Sequence, residues 1–211
     1  MSDLPAPLAL LEAQGLAFLR RDEPIFGPLD FAVHAGELML VEGDNGSGKT
    51  TLLRVLAAML QCNEGEVLLH GSHLNRENAA GEILYLGHQL GLKTELTPLE
   101  NLNYSQGLYG RRRSVTPLTA IEGVGLSGYE HEPVKQLSAG QKKRVALARL
   151  VLVPAAVWLL DEPWANLDHQ GIALVNRLIG RHVDEGGAVL ASSHGTVSYV
   201  DRAFRRIGLS S

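Results

Sequence analysis

One cysteine in 211 residues, Cys62, rules out an internal disulfide and any CxxC metal or redox pair, and fits a reducing compartment. No block of like charge interrupts the chain, and 19 Lys and Arg stand against 23 Asp and Glu for a net charge of −4. That balance argues against a nucleic-acid binder held by a basic face. Long apolar runs are missing too. The longest, Leu150 to Leu160, is divided by Pro154 and falls short of the roughly 17 to 25 residues that a membrane-spanning helix needs. An apolar patch from Leu8 to Leu11 follows Pro5 and Pro7 with no basic lead-in, so no secretory signal is expected and any membrane role should be peripheral. There is no internal repeat and no low-complexity linker. What remains is 45% hydrophobic and 20% charged, the composition of one ordinary globular domain over residues 1–211.

Strand-like and helix-like apolar segments alternate, which predicts an α/β fold. Leu29, Phe31 and Val33 alternate with other residues as a half-buried strand, and Glu37 to Val41 leads into a glycine-rich turn. A helix is expected from Lys49 to about Leu60, with strands at Val67 to Leu69, Ile83 to Leu86, Val157 to Leu160 and Ala188 to Ala191. The last two read as buried parallel strands. Between Thr97 and Val153 only helices are predicted. Thr97, Pro98 and Glu100 form a capping box with proline at the first helical position, Arg111 to Arg113 form an exposed loop, Thr116 to Gly125 suggests a helix, and Ser138 with Gln141 forms a second box.

Gly43-Asp44-Asn45-Gly46-Ser47-Gly48-Lys49-Thr50 fits GxxxxGK[ST] between a predicted strand and a predicted helix. The glycines let successive backbone N–H groups turn inward, and the helix adds its positive end, so the loop, with Thr51 adjoining, is a polyphosphate cradle. Lys49 reaches the β- and γ-phosphates, and the Thr50 hydroxyl is suited to Mg²⁺. Val157 to Leu160 runs into Asp161 and Glu162, placing two carboxylates at the carboxyl edge of a parallel sheet. Asp161 suits Mg²⁺, directly or through water, and Glu162 can orient and polarise the water that attacks the γ-phosphate.

Leu137-Ser138-Ala139-Gly140-Gln141 opens a helix whose Val145, Ala148 and Leu152 share a face, and its exposed end is a second anion site. In this order the phosphate loop, LSAGQ and the acidic strand resemble the nucleotide-binding domain of ABC ATPases, over nearly the whole chain. The resemblance implies a P-loop core of about 1–88 and 155–211 with a mixed sheet, and a helical subdomain of about 89–154. It makes Gln89 the Q-loop glutamine that contacts ATP and Mg²⁺, Ala165-Asn166-Leu167-Asp168 the D-loop, and His194 the switch histidine, a catalytic residue with Glu162 and Lys49. It also implies a head-to-tail dimer, in which ATP on one phosphate loop is covered by Ser138 and Gly140 of a second copy.

The segment GHQLGLKTELT from Gly87 to Thr97, with Glu100-Asn101-Leu102, Arg20-Arg21-Asp22-Glu23 and Gln136 to Leu150, is similar to the ATPase subunits of the cytochrome c maturation (Ccm) system. That likeness implies a peripheral motor on the cytoplasmic face of the bacterial inner membrane, beneath integral-membrane Ccm subunits. Its hydrolysis of ATP would be coupled to haem export or to release of a haem-loaded chaperone; an ABC transporter for lipid, peptide or drug is the alternative. The 17 residues after His194 leave no room for a regulatory domain or second cassette, so a bare motor is expected. Where the family stacks adenine on an aromatic ring, Arg20 or Arg21 stands here, with Phe18 and Phe26 as alternatives. No NKxD guanine motif supports a GTPase, and no CxxCH binds haem.

Overall fold

The first hairpin is built on alternation. In a computed structural model that describes residues 9–193 and 202–209, strands β1 (Ala9–Arg20) and β2 (Glu23–His34) pair antiparallel and turn at Arg21 and Asp22. Both turn residues lie in the left-handed region, at φ 54° and 64°. Two such residues in sequence match the right-handed twist of the flanking strands. The first sheet runs β2-β1-β4-β5, with β4 at Glu64–Leu69 and β5 at Ser72–His73. Strands β3 (Leu38–Glu42), β6 (Ile83–Leu86), β7 (Val157–Leu160), β8 (Ala188–Ser193) and β9 (Arg205–Gly208) form a second sheet in the order β6-β7-β8-β3-β9, every pair parallel.

Apart from its exposed edge strand β9, the second sheet is buried on both faces, which is why β3, β6, β7 and the start of β8 read as apolar runs. Leu40, Trp158, Leu160 and Val189 pack with helices α5 (Ala139–Leu152) and α6 (His169–Asp184). Their neighbours Met39, Val41, Leu159 and Leu190 pack with α1 (Lys49–Leu56) and the antiparallel sheet. Short α2 (Arg76–Ala79) precedes β6. Helices α3 (Pro98–Tyr109), α4 (Pro117–Gly123) and α5 fill the interval between β6 and β7. Among the described residues no helix is long and apolar enough to cross a membrane.

Both capping boxes form as read: the Thr97 side chain accepts from the Glu100 N–H, and the Ser138 side chain from the Gln141 N–H. α1 ends at Leu56, short of Leu60, because Ala58 adopts φ 54° and breaks the turn. β1 and α6 carry no expectation from sequence; the alternation of β1 is blurred by register shifts on both its edges. Asn101 explains a motif read only as a family mark. Its side chain accepts from the Lys93 N–H and donates to the carbonyls of Lys93, Leu96 and Thr97, clamping the segment ahead of α3.

Behind β7, the His182 ring stacks on Trp158 at a centroid distance of 3.8 Å and 3° between planes. Gly187 makes the fit possible, since a Cβ there would lie 2.2 Å from His182 Nε2. Burial, and then the nearby Arg112 charge, push the His182 pKa down to about 4. The folded protein therefore holds a neutral ring that the unfolded chain protonates near pH 6.5, so this stability is complete above pH 6.5 and is lost as pH falls towards 4. Between pH 7 and pH 5 the loss is on the order of 2 kcal/mol. Urea unfolding of His182→Gln at the two pH values should show a smaller acid loss than wild type by about that amount.

Candidate active site

The phosphate loop follows β3 directly and curls onto the first turn of α1. Gly48 caps that helix at φ 94°, and a Cβ on it would meet Ile25 Cγ2 at 2.8 Å, so only glycine lets the loop lie against β2. Lys49, 6% exposed, donates to the carbonyls of Gly43 at 2.6 Å and Asp44 at 2.8 Å. An ammonium has three donors, and two of them here hold the loop's own shape.

Thr50 starts a chain of hydrogen bonds across the sheet. Its hydroxyl donates to Asp161 Oδ2 at 2.8 Å, the Ser192 hydroxyl donates to Asp161 Oδ1 at 2.8 Å, and the Glu162 N–H donates to Ser192 Oγ at 2.9 Å. Tyr85 adds a longer bond to Asp161 Oδ2 at 3.4 Å, and burial together with the Asp161 charge raises its phenol pKa. Asp161 is 2% exposed and Ser192 is 0%. Ser192 lies on β8, the strand between β7 and β3, so this bridge depends on strand order and is not evident from spacing. The only sequence signal for it is a polar residue ending an apolar run beside His194.

A cavity of about 480 Å³ takes in Lys49, Thr50 and Glu162 of these groups, with Asp161 and Ser192 buried behind its lining. At one end lie Asn45, Gly46, Gly48, Lys49, Thr50, Thr51, His88 and Glu162; Phe18, Arg20 and Ile25 complete the lining. Of the candidates for stacking on a base, the structure thus brings Phe18 and Arg20 to the cavity. Phe26 is buried behind, stacked on Phe18 at 6.1 Å, and Arg21 occupies the hairpin turn. Gly43, Asp44 and Ser47 do not line this cavity; Ser47 is 1% exposed and its hydroxyl has no hydrogen-bond partner among the described residues.

Other sequence candidates fall elsewhere. Gln89 is exposed and lines a neighbouring groove of about 750 Å³ with Met59, Tyr85, Tyr109 and Arg149. His88, one residue earlier, faces the phosphate loop in its place, with Nε2 3.2 Å from Glu162 Oε2. Ser138 and Gly140 form the exposed tip of α5, away from the cavity lining. Asp168 caps α6, accepting from the Gly171 N–H at 2.7 Å. His194 lies outside the described residues. Lys143, which sequence reading passed over, reaches from α5 to the Glu162 carbonyl at 3.3 Å, and burial lowers its pKa against the pull of Glu162 and Asp161.

A phosphate-cradling loop, a buried aspartate bonded to the loop threonine and a glutamate beside it define a P-loop nucleoside triphosphatase. The chain belongs to the ABC transporter family, whose model matches residues 26–165, and it is an ATP-binding ATPase of that family. It is 58% identical over 186 residues to the "Cytochrome c biogenesis ATP-binding export protein CcmA" of Xanthomonas campestris, covering 88% of this chain and 87% of that protein. The protein of the same name from Yersinia pseudotuberculosis is 43% identical over 203 residues, 95% of this chain and 93% of the other. Among solved structures, a chain described as an ABC transporter ATP-binding protein from Pyrococcus furiosus superposes with a TM-score of 0.79 at 27% identity, covering 94% of this chain and 96% of that one.

Proposed function

We infer that this chain is the ATP-hydrolysing motor subunit of a cytochrome c biogenesis ABC transporter, acting as a peripheral subunit on the cytoplasmic face of a bacterial inner membrane. The observation that carries the hydrolytic reading is the bonded series Thr50, Asp161, Ser192 and Glu162, whose two ends, Thr50 and Glu162, line the cavity that holds Lys49. The identity to cytochrome c biogenesis relatives over most of the chain supports the cellular role.

In this reading the triphosphate lies along the loop, with the backbone N–H groups of Asn45 to Gly48 and the free donor of Lys49 taking up its charge. Glu162 orients the attacking water and accepts its proton. The donor set fits Mg²⁺. A hydroxyl and a buried carboxylate are hard oxygen donors, and among the described residues there is no cluster of three or more His, Cys, Asp or Glu, as suits an ion held chiefly by phosphates and water. Thr50 and Asp161 would hold it, with Gln89 joining once the segment after β6 moves in. When bound, the ion neutralises charge on the β- and γ-oxygens.

ABC ATPases work as dimers, and the exposed tip of α5 with Ser138 and Gly140 is the surface proposed to cover the nucleotide of a second copy. The helical subdomain, about 89–154, would move against the core of about 1–88 and 155–211 as ATP joins and leaves the interface. Integral-membrane Ccm subunits would dock on the groove lined by Gln89 and Tyr109. Export of haem or release of a haem-loaded chaperone would be the work done. Affinity capture of the chain from solubilised membranes tests this role. Recovery with haem-handling membrane subunits is expected; recovery with a lipid- or peptide-handling partner instead would reject it.

A further inference from the structure

Strands β6 and β7 pair in register with Leu86 opposite Leu160, and the Asp161 N–H extends the ladder to the Leu86 carbonyl at 2.8 Å. His88 and Glu162 each stand two residues beyond that last pair. Sheet register therefore sets them opposite each other at the carboxyl edge, with Nε2 3.2 Å from Oε2. Both line the cavity that contains Lys49 and Thr50. The histidine is the outer member, its side chain 59% exposed against 14% for the glutamate.

Glu162 takes φ 51°, and its N–H is anchored from the β8 side by Ser192. A general base is effective only when its carboxylate is held in the productive direction. We propose that His88 is a positioning residue for hydrolysis, holding the Glu162 carboxylate in the cavity through its imidazole, which lies 3.2 Å away. Because His88 immediately precedes Gln89, movement of the segment that leads into the helical subdomain shifts the donor and the carboxylate together. The proposal rests on Glu162 being the residue that orients the attacking water. An exposed ion pair adds little to folding stability, so the effect belongs to catalysis.

The test measures ATP turnover of the assembly extracted from membranes with its partner subunits. For His88→Ala, kcat should fall by about tenfold or more while KM for ATP stays within about twofold, with the melting temperature unchanged. His88→Gln, whose amide N–H reaches the same oxygen, should recover to within about threefold of wild type. A kcat unchanged in His88→Ala, a loss carried by KM, or no recovery in His88→Gln overturns the proposal. Glu162→Gln run beside them separates the two readings. If it turns over normally, the role of Glu162 itself fails; if it is inactive while His88→Ala is normal, only the role of His88 is lost.

Discussion

Lys49→Ala is expected to weaken ATP binding by about a hundredfold or more, the loss that follows when a buried charge and its hydrogen bonds to an anion are removed, worth about 2 to 5 kcal/mol. The side chain does two things at once. It ties the carbonyls of Gly43 and Asp44 together, which sets the loop's curvature, and it keeps a cation at the rim where phosphate enters. Alanine leaves both carbonyls without that partner and supplies no charge. Titration calorimetry with ATP measures the affinity, and a thermal melt shows whether the fold survives. Binding within about threefold of wild type, on a folded protein, would show that the phosphates do not lie on this loop.

Glu162→Gln should separate binding from chemistry. Glutamine has the size of glutamate and cannot accept a proton at neutral pH, so turnover should drop by about 10² to 10⁴ while ATP affinity stays within a few fold. Without hydrolysis, ATP should hold two copies together, and size-exclusion chromatography should show a nucleotide-dependent dimer. Adding Ser138→Arg tests how the copies meet. That position is exposed at the tip of α5, so an arginine can be accommodated in the single chain. Loss of the cap bond to Gln141 costs about 1 kcal/mol, too little to unfold the helix. The double variant should bind ATP as a monomer; a dimer that persists would remove the α5 tip from the interface.

Local patterns carried much of this molecule into view before its coordinates. The phosphate loop is contiguous, and so is the apolar run ending in Asp161 and Glu162; both needed only spacing and strand-to-helix context. The capping boxes at Thr97 and Ser138 were visible for the same reason, since each is closed within four residues. Contacts across the sheet were not. Ser192 is joined to Asp161 by strand order alone, 31 residues away in sequence. His88 stands in the sequence only as one residue of the GHQLGLKTELT segment, yet the register of β6 against β7 sets it opposite Glu162. α6 carries no expectation although Leu174, Val175, Leu178, Ile179 and Val183 recur at helical spacing; His182 is the polar residue set into that buried face. Asn176 accepts from the Trp164 indole, and His182 Nε2 lies 3.1 Å from the Ala156 carbonyl, so each meets a partner outside the helix.

The Ser192 hydroxyl has one proton to give and spends it on Asp161, while its lone pair receives the N–H of Glu162. A single oxygen thus acts as a spacer between two neighbouring acids with different duties, and neither backbone nor carboxylate can drift without disturbing the other. Alanine there would free them to slip independently, and cysteine, longer and a poorer donor, would pry them apart. The proposed metal ligand and the proposed base are yoked by an atom that need never touch the substrate.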